Sequence, residues 1–126
     1  MKYLLDSNTI IALVMNSRGH VVERAARCDE GDIVTSAVAY AEVAYGSLPN
    51  RPPAFDQLQA FVEEVAVVDF DYKAAMTYAT LPFRRASYDR LIAAHALSLG
   101  LTIVTENGRD FADIPGLRIE NWTLPL

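Results

Sequence analysis

The chain has 126 residues, enough for one domain with a real core and too few for two. Apolar residues make up 52% of it, which excludes a disordered chain, and its apolar runs are too short and too broken by charge to span a membrane. A net charge of −5 excludes a protein that coats nucleic acid by bulk charge, while nine Arg against two Lys leave room for a few planar phosphate contacts at one mouth.

In chain order, residues 2–6 are apolar, closed by an acid, and predict a buried first strand rather than a signal peptide. Ser7 is placed to cap a helix from Asn8 to about Met15. The loop Asn16-Ser17-Arg18-Gly19 leads to a second helix, His20 to about Asp29, with Gly31 as its left-handed cap. Asp32 to Thr35 predicts a second strand, and Ser36 caps a helix from Ala37 to about Tyr45 that ends at Gly46. After the turn-rich Pro49-Asn50-Arg51-Pro52-Pro53, residues 54–64 have helical period, with Phe55, Leu58, Phe61 and Val62 on one face. Val65 to Asp69 predicts a third strand, Asp71 caps a helix reaching Thr80, and Leu81-Pro82-Phe83 breaks it. Ser87 caps a helix from Tyr88 to Leu99 that stops at Gly100; Leu101 to Thr105 and Leu117 to Asn121 predict the last two strands. Strands alternating with helices imply one α/β domain over residues 1–126, with right-handed crossovers and a mostly parallel sheet covered on both faces. The single cysteine, Cys28, allows no internal disulfide and suits a cytoplasmic protein.

Ligands of such sheets bind beyond the carboxyl ends of the strands. Asp6 ends the first strand, Asp110 lies beyond the fourth, and Glu42 and Asp89 stand early in helices that start at the same edge. Each also has a plain structural reading: Asp6 as a helix cap, and Asp89 as an acid favoured by the helix dipole. Glu42 lies on a helix otherwise made of Ala, Val and Tyr, where a lone carboxylate is costly unless paired or metal-bound. Carboxylates gathered at one edge repel, and a cation holds them together. With oxygen donors and no His or Cys cluster, Mg²⁺ or Mn²⁺ suits the set better than zinc. A water activated by such an ion can attack phosphorus, so the residues point to a metal-dependent phosphodiester hydrolase. Asn8 is placed to orient Asp6, and Thr105 to orient a metal water. Arg84, Arg85 and Arg90 crowd Asp89, and Arg109 precedes Asp110. His95, in an apolar helix, reads as a packed core histidine. A phospho-acceptor receiver domain is disfavoured, because neither Lys2 nor Lys73 follows a late strand.

These residues carry a family resemblance. Leu4-Leu5-Asp6-Ser7-Asn8, Ala41-Glu42-Val43-Ala44-Tyr45-Gly46, Tyr88-Asp89-Arg90-Leu91-Ile92-Ala93-Ala94-His95, and Ile103-Val104-Thr105-Glu106-Asn107 followed by Asp110-Phe111 resemble, in order, the four motifs of PIN-domain ribonucleases. The ending from Pro115 to Trp122 resembles the last strand of VapC toxins in that family. The resemblance implies a three-layer α/β/α sandwich and Mg²⁺- or Mn²⁺-dependent endoribonuclease activity. It also implies a VapB-type antitoxin that blocks the site, and homodimers. The first three acids carry over onto Asp6, Glu42 and Asp89, with the metal on Asp6, Asp89 and Asp110. Many members have Asp where this chain has Asn107; others use the acid before Phe, here Asp110, which is favoured, with Asn107 as a water-mediated ligand. Arg84, Arg85, Arg90 and Arg109 are then the RNA contacts. The alternatives are a PIN nuclease of RNA processing, and an antitoxin-binding decoy whose acids no longer act.

Overall fold

The computed structural model describes residues 1–16 and 19–125. Ser17 and Arg18, in the predicted loop between the first two helices, lie outside the described residues. Among the described residues, five strands, β1 (Tyr3–Leu5), β2 (Ile33–Ser36), β3 (Ala66–Val68), β4 (Thr102–Val104) and β5 (Ile119–Glu120), form one sheet in the order β3-β2-β1-β4-β5. Every pairing between neighbours is parallel, with Leu4 opposite both Val34 and Ile103. The order grows to one side of β1 through β2 and β3, then jumps back to its other side through β4. The switch point therefore falls between β1 and β4, where Asp6 and Thr105 end adjacent strands.

Among the described residues, six helices cover the sheet: α1 (Ser7–Met15), α2 (His20–Ala26), α3 (Ala37–Gly46), α4 (Phe55–Glu64), α5 (Tyr72–Ala79) and α6 (Tyr88–Leu99). Helix α1 packs on α2, α3 and α4, and α6 on α3 and α5; the helices flank the parallel sheet as the expected three-layer sandwich. The core is mostly aliphatic, with Leu4, Leu5, Ile10, Ile92, Ile103 and Val104 fully buried beside Phe111 and Trp122. Helix α6 is the central one, with Ile92, Ala93, Ala94 and Ala96 also without exposed surface. Among the described residues, no helix is long and apolar enough to cross a membrane.

Several local expectations change. Ser7 does not cap α1; it is the first helical residue, and the Asp6 carboxylate caps instead, accepting from Thr9 N at 2.9 Å. Helix α2 stops at Ala26, five residues before Gly31, whose φ of +86° serves the turn into β2. Gly46 is still helical, and Ser47 closes α3. On α4, Leu58 and Phe61 are buried as predicted and Val62 is partly buried against the core, but Phe55, at the first helical position, is 52% exposed. The caps at Ser36, Asp71 and Ser87 are as read, and Gly100, at φ +69°, ends α6 in the left-handed conformation. A short 3-10 turn, Gly108–Phe111, occupies what the sequence suggested only as loop.

Candidate functional site

The carboxyl edge of β1 and β4 organises the site. Asp6 is 2% exposed, and its amide donates to Val104 O at 3.1 Å, which fixes it against the neighbouring strand. Its cap bond to Thr9 N occupies Oδ1, and Thr9 Oγ1 in turn donates to Val104 O at 3.0 Å. Thr9, not Asn8, therefore orients the Asp6 carboxylate; Asn8 is exposed.

Glu42 is exposed, so the cost of a buried carboxylate does not apply to it. What holds it is Ser7, whose hydroxyl donates to Glu42 Oε1 and also approaches Ala39 O at 3.4 Å. The residue expected as a cap thus links the first two acids across α1 and α3. Asp89 stands in the first turn of α6, where Ser87 Oγ accepts from Arg90 N at 3.2 Å. Burial pushes the Asp89 carboxyl above its ordinary value, and the charges of Asp6, Glu42 and Asp110 push it further the same way. Three acids scattered over the sequence thus act electrostatically on a fourth.

The fourth strand contributes Thr105, which is 1% exposed; its Oγ1 accepts from Asn107 N at 3.0 Å. That bond turns the chain into the 3-10 segment, where Asn107 O accepts from Asp110 N at 3.0 Å. Asp110 is exposed at the rim of the set.

The arginines divide. Arg90, expected to contact RNA, is 5% exposed and fully engaged. Its Nη1 and Nη2 donate to the two oxygens of Asp113 at 2.9 and 3.1 Å, and further to Asp110 O and Pro82 O. Arg90 is a structural clamp, because no N–H of its two terminal nitrogens is left facing a ligand. Asp113 is the partner that sequence reasoning missed; the hydrogen bond from Arg90 holds its carboxyl below the ordinary range. Arg84, with half its side chain exposed, leans on the same turn through Asp110 O at 3.3 Å. Arg85 and Arg109 are exposed, and among the described residues their side chains make no hydrogen bond.

His95 is fully buried on α6. Its Nδ1 lies 2.8 Å from Ser36 Oγ, and its ring meets Phe70 edge-on at 5.3 Å. It packs in the core beneath the N-terminus of α3, away from any base role.

Among the described residues, no three His, Cys, Asp or Glu side chains already stand close enough together to hold a metal ion. The donors are nonetheless all oxygen, and burial, followed by the charges of the other three acids, raises Asp89. That combination fits a hard cation that keeps part of its water shell, as Mg²⁺ does, and takes only one or two direct carboxylates.

The fold and this acidic edge agree with known proteins. The sequence profile of the PIN domain matches residues 3–117. A tRNA(fMet)-specific endonuclease VapC from Salmonella typhimurium is 33% identical over 131 residues, spanning 97% of this chain and 98% of the relative. The structure of VapBC2 from Rickettsia felis, bound to a promoter DNA fragment, superposes with a TM-score of 0.85 at 26% identity, covering 97% of this chain and 99% of that one. DNA-bound VapBC from Salmonella typhimurium gives 0.82 at 32% identity, over 97% and 98% of the two chains. The chain belongs to the PIN-domain family. Within that family its near full-length similarity is to the VapC toxins, and its activity is endonucleolytic cleavage of RNA.

Proposed function

We propose that Asp6, Glu42, Asp89 and Asp110 together carry the cleavage, with Mg²⁺ or Mn²⁺ held mainly by Asp6, Asp89 and Asp110. The observation that supports this most directly is the electrostatic coupling of Asp89 to the other three acids. A bound divalent cation supplies Lewis-acid stabilisation of the charge that develops on the phosphoryl oxygens. Asp6 presents its free Oδ2 while Thr9 keeps the carboxylate from rotating. An attacking water gives its proton to a carboxylate of this set. Hydrolysis then joins that oxygen to phosphorus, breaks one P–O bond and returns a proton to the leaving oxygen. Arg85 and Arg109 contact the RNA backbone on either side.

The substrate class is a transfer RNA, by similarity to the Salmonella endonuclease, and the natural inhibitor is a VapB-type antitoxin, by similarity to the VapBC complexes. A groove of about 830 Å³ supports such a partner. Leu13, Val14, Val22 and Phe61 line it, with Asp29, Glu30, Glu63 and Glu64 at its rim, a pattern that favours a basic amphipathic segment. It lies apart from the acids. Tyr72 and Met76, one turn apart on α5 and exposed, offer apolar surface for a homodimer. The protein is assigned to the cytoplasm, where its RNA is.

The test is incubation of purified, antitoxin-free protein with total RNA and Mg²⁺ or Mn²⁺, beside Asp89→Asn and an EDTA control, with the fragment ends mapped. Discrete metal-dependent cuts in a transfer RNA, lost in the variant, are expected. Cuts that persist in EDTA or in Asp89→Asn would remove the metal and the site assignment.

A further inference from the structure

We propose that the cavity beside Glu42 and Asp89 is a nucleobase subsite, in which Tyr88 stacks on a base flanking the scissile phosphate; this rests on the site assignment above. The cavity measures about 480 Å³, within the roughly 300–1,000 Å³ of small-molecule sites. Tyr78, Ala86, Tyr88 and Leu91 form its apolar wall, and Glu42 and Asp89 its acidic edge. A phosphate is repelled by that edge, whereas an uncharged, flat ring is not. The cavity is therefore suited to a base whose phosphate lies outside, by the acids.

Tyr88 is fixed for such a task. It is the first residue of α6, directly before Asp89, and the Ser87 cap sets the direction of that first turn. Its ring is nevertheless 60% exposed, and among the described residues neither Tyr88 nor Tyr78 has a hydrogen-bond partner for its hydroxyl. The segment leading into the cavity repeats the chemistry: Phe83 is fully exposed, and Arg84 and Arg85 follow it. Aromatic faces that take bases, beside guanidinium groups that take phosphates, form a surface for unpaired RNA. Bulk charge cannot supply that affinity in a chain of net charge −5, whereas stacking does not depend on it.

Two measurements test the subsite. In the first, full-length protein carrying Asp6→Asn binds single-stranded RNA with 2-aminopurine next to the mapped cut. Fluorescence falls on binding, equally with Tyr88→Phe added, and stays high with Tyr88→Ala. In the second, the otherwise native protein cleaves oligonucleotides that carry either a normal or an abasic nucleotide at that position. The native protein is expected to prefer the normal one in kcat/KM by roughly ten- to a hundredfold, the range for one stacked base. With Tyr88→Ala that preference collapses towards one while the abasic substrate is cut at the native rate. Equal slowing of both substrates, or unchanged fluorescence, overturns the proposal. So does dissociation of a dimer by Tyr88→Ala with base preference intact, which would make the ring an interface residue. Absence of cleavage by the native protein would instead strike the nuclease assignment itself.

Discussion

The guanidinium of Arg90 closes on both carboxylate oxygens of Asp113, at 2.9 and 3.1 Å, and joins the helix that carries Asp89 to the turn that carries Asp110. The same cation reaches Pro82 O at 2.9 Å, so the segment between α5 and α6 is tied to the clamp as well. Charge-assisted, two-pronged bonds of this kind fix geometry as well as energy, and a lysine cannot reproduce them. Arg90→Lys is therefore expected to lower the melting temperature by several degrees. It is also expected to cut kcat/KM by on the order of ten- to a hundredfold, since Asp110 shifts while Asp89 keeps its place. Calorimetry and a fluorogenic RNA substrate measure the two; a lowered melting temperature with unchanged kcat/KM would separate the turn from the site.

Asp6 has two roles that substitution can split. As a cap it satisfies Thr9 N, and loss of such a cap costs about 0.5–2 kcal/mol. As a member of the acidic set it supplies charge. Asp6→Ala loses both functions, while Asp6→Asn keeps an oxygen for Thr9 N and loses only the charge. Both variants are expected to be inactive, with only the alanine variant less stable in urea. Equal stability of the two would mean that the cap bond contributes nothing.

The raised carboxyl of Asp89 predicts an unusual pH dependence. Between the ordinary value of 3.8 and the raised one, the native state binds a proton that the unfolded chain has released. Stability therefore falls as pH rises through that window and does not recover above it. The buried His95 acts in the opposite direction over part of this range, so the Asp89 contribution shows as a difference: in EDTA, Asp89→Asn is expected to lose more melting temperature from neutrality to weak acid than the native protein does. Mg²⁺ is expected to raise the melting temperature of the native protein more at neutrality than in weak acid, because protons and cation compete for the same oxygens. An identical Mg²⁺ shift in Asp89→Asn would remove Asp89 from the metal site.

The sequence carried the alternation of strands and helices, the caps at Ser36, Asp71 and Ser87, and the stop at Gly100, because each depends on a few neighbouring residues. The acids at the strand ends were legible for the same reason: parallel topology puts those ends at one edge. Contacts that depend on distant partners were not legible. Ser7 and Glu42 are 35 positions apart, and Arg90 and Asp113 are 23, so nothing local marks either pair. Arg90 misled because an arginine beside a catalytic acid looks the same whether it points at solvent or into a clamp. Asp113 went unnoticed as one more acid in a loop. The 3-10 turn was hidden because Thr105 and Asn107 form it through one side-chain bond rather than by periodicity.

The division of the arginines is measurable through salt. Neutralising a phosphate releases counterions, so each contact steepens the dependence of affinity on salt. Arg85, exposed and unpaired among the described residues, is expected to contribute: Arg85→Ala should weaken RNA binding and reduce the logarithmic salt slope by about 1. Arg90, bound to Asp113, is expected to leave that slope unchanged when replaced, despite sitting beside Asp89. Titrations of catalytically inactive protein at several salt concentrations separate them; a smaller slope for Arg90→Lys would return that residue to the RNA interface.

His95 makes the fold sensitive to acid at a point that bears on the site. Ser36 Oγ accepts from Val38 N at 3.1 Å as the cap of α3, the helix that carries Glu42. The same hydroxyl shares a hydrogen bond with His95 Nδ1, at 2.8 Å. Protonating the ring would put a charge into the core. Burial accordingly lowers the His95 pKa below its ordinary 6.5, despite opposition from the Asp71 charge and Asp69. The unfolded chain takes up its proton near 6.5 and the native state only at lower pH, so the stabilising effect is complete above 6.5 and is lost as pH falls below it. Urea midpoints are expected to drop between about pH 7.5 and about pH 5, and His95→Gln, which titrates nowhere in that range, is expected to drop less. Equal loss in both proteins would assign the acid sensitivity to other groups.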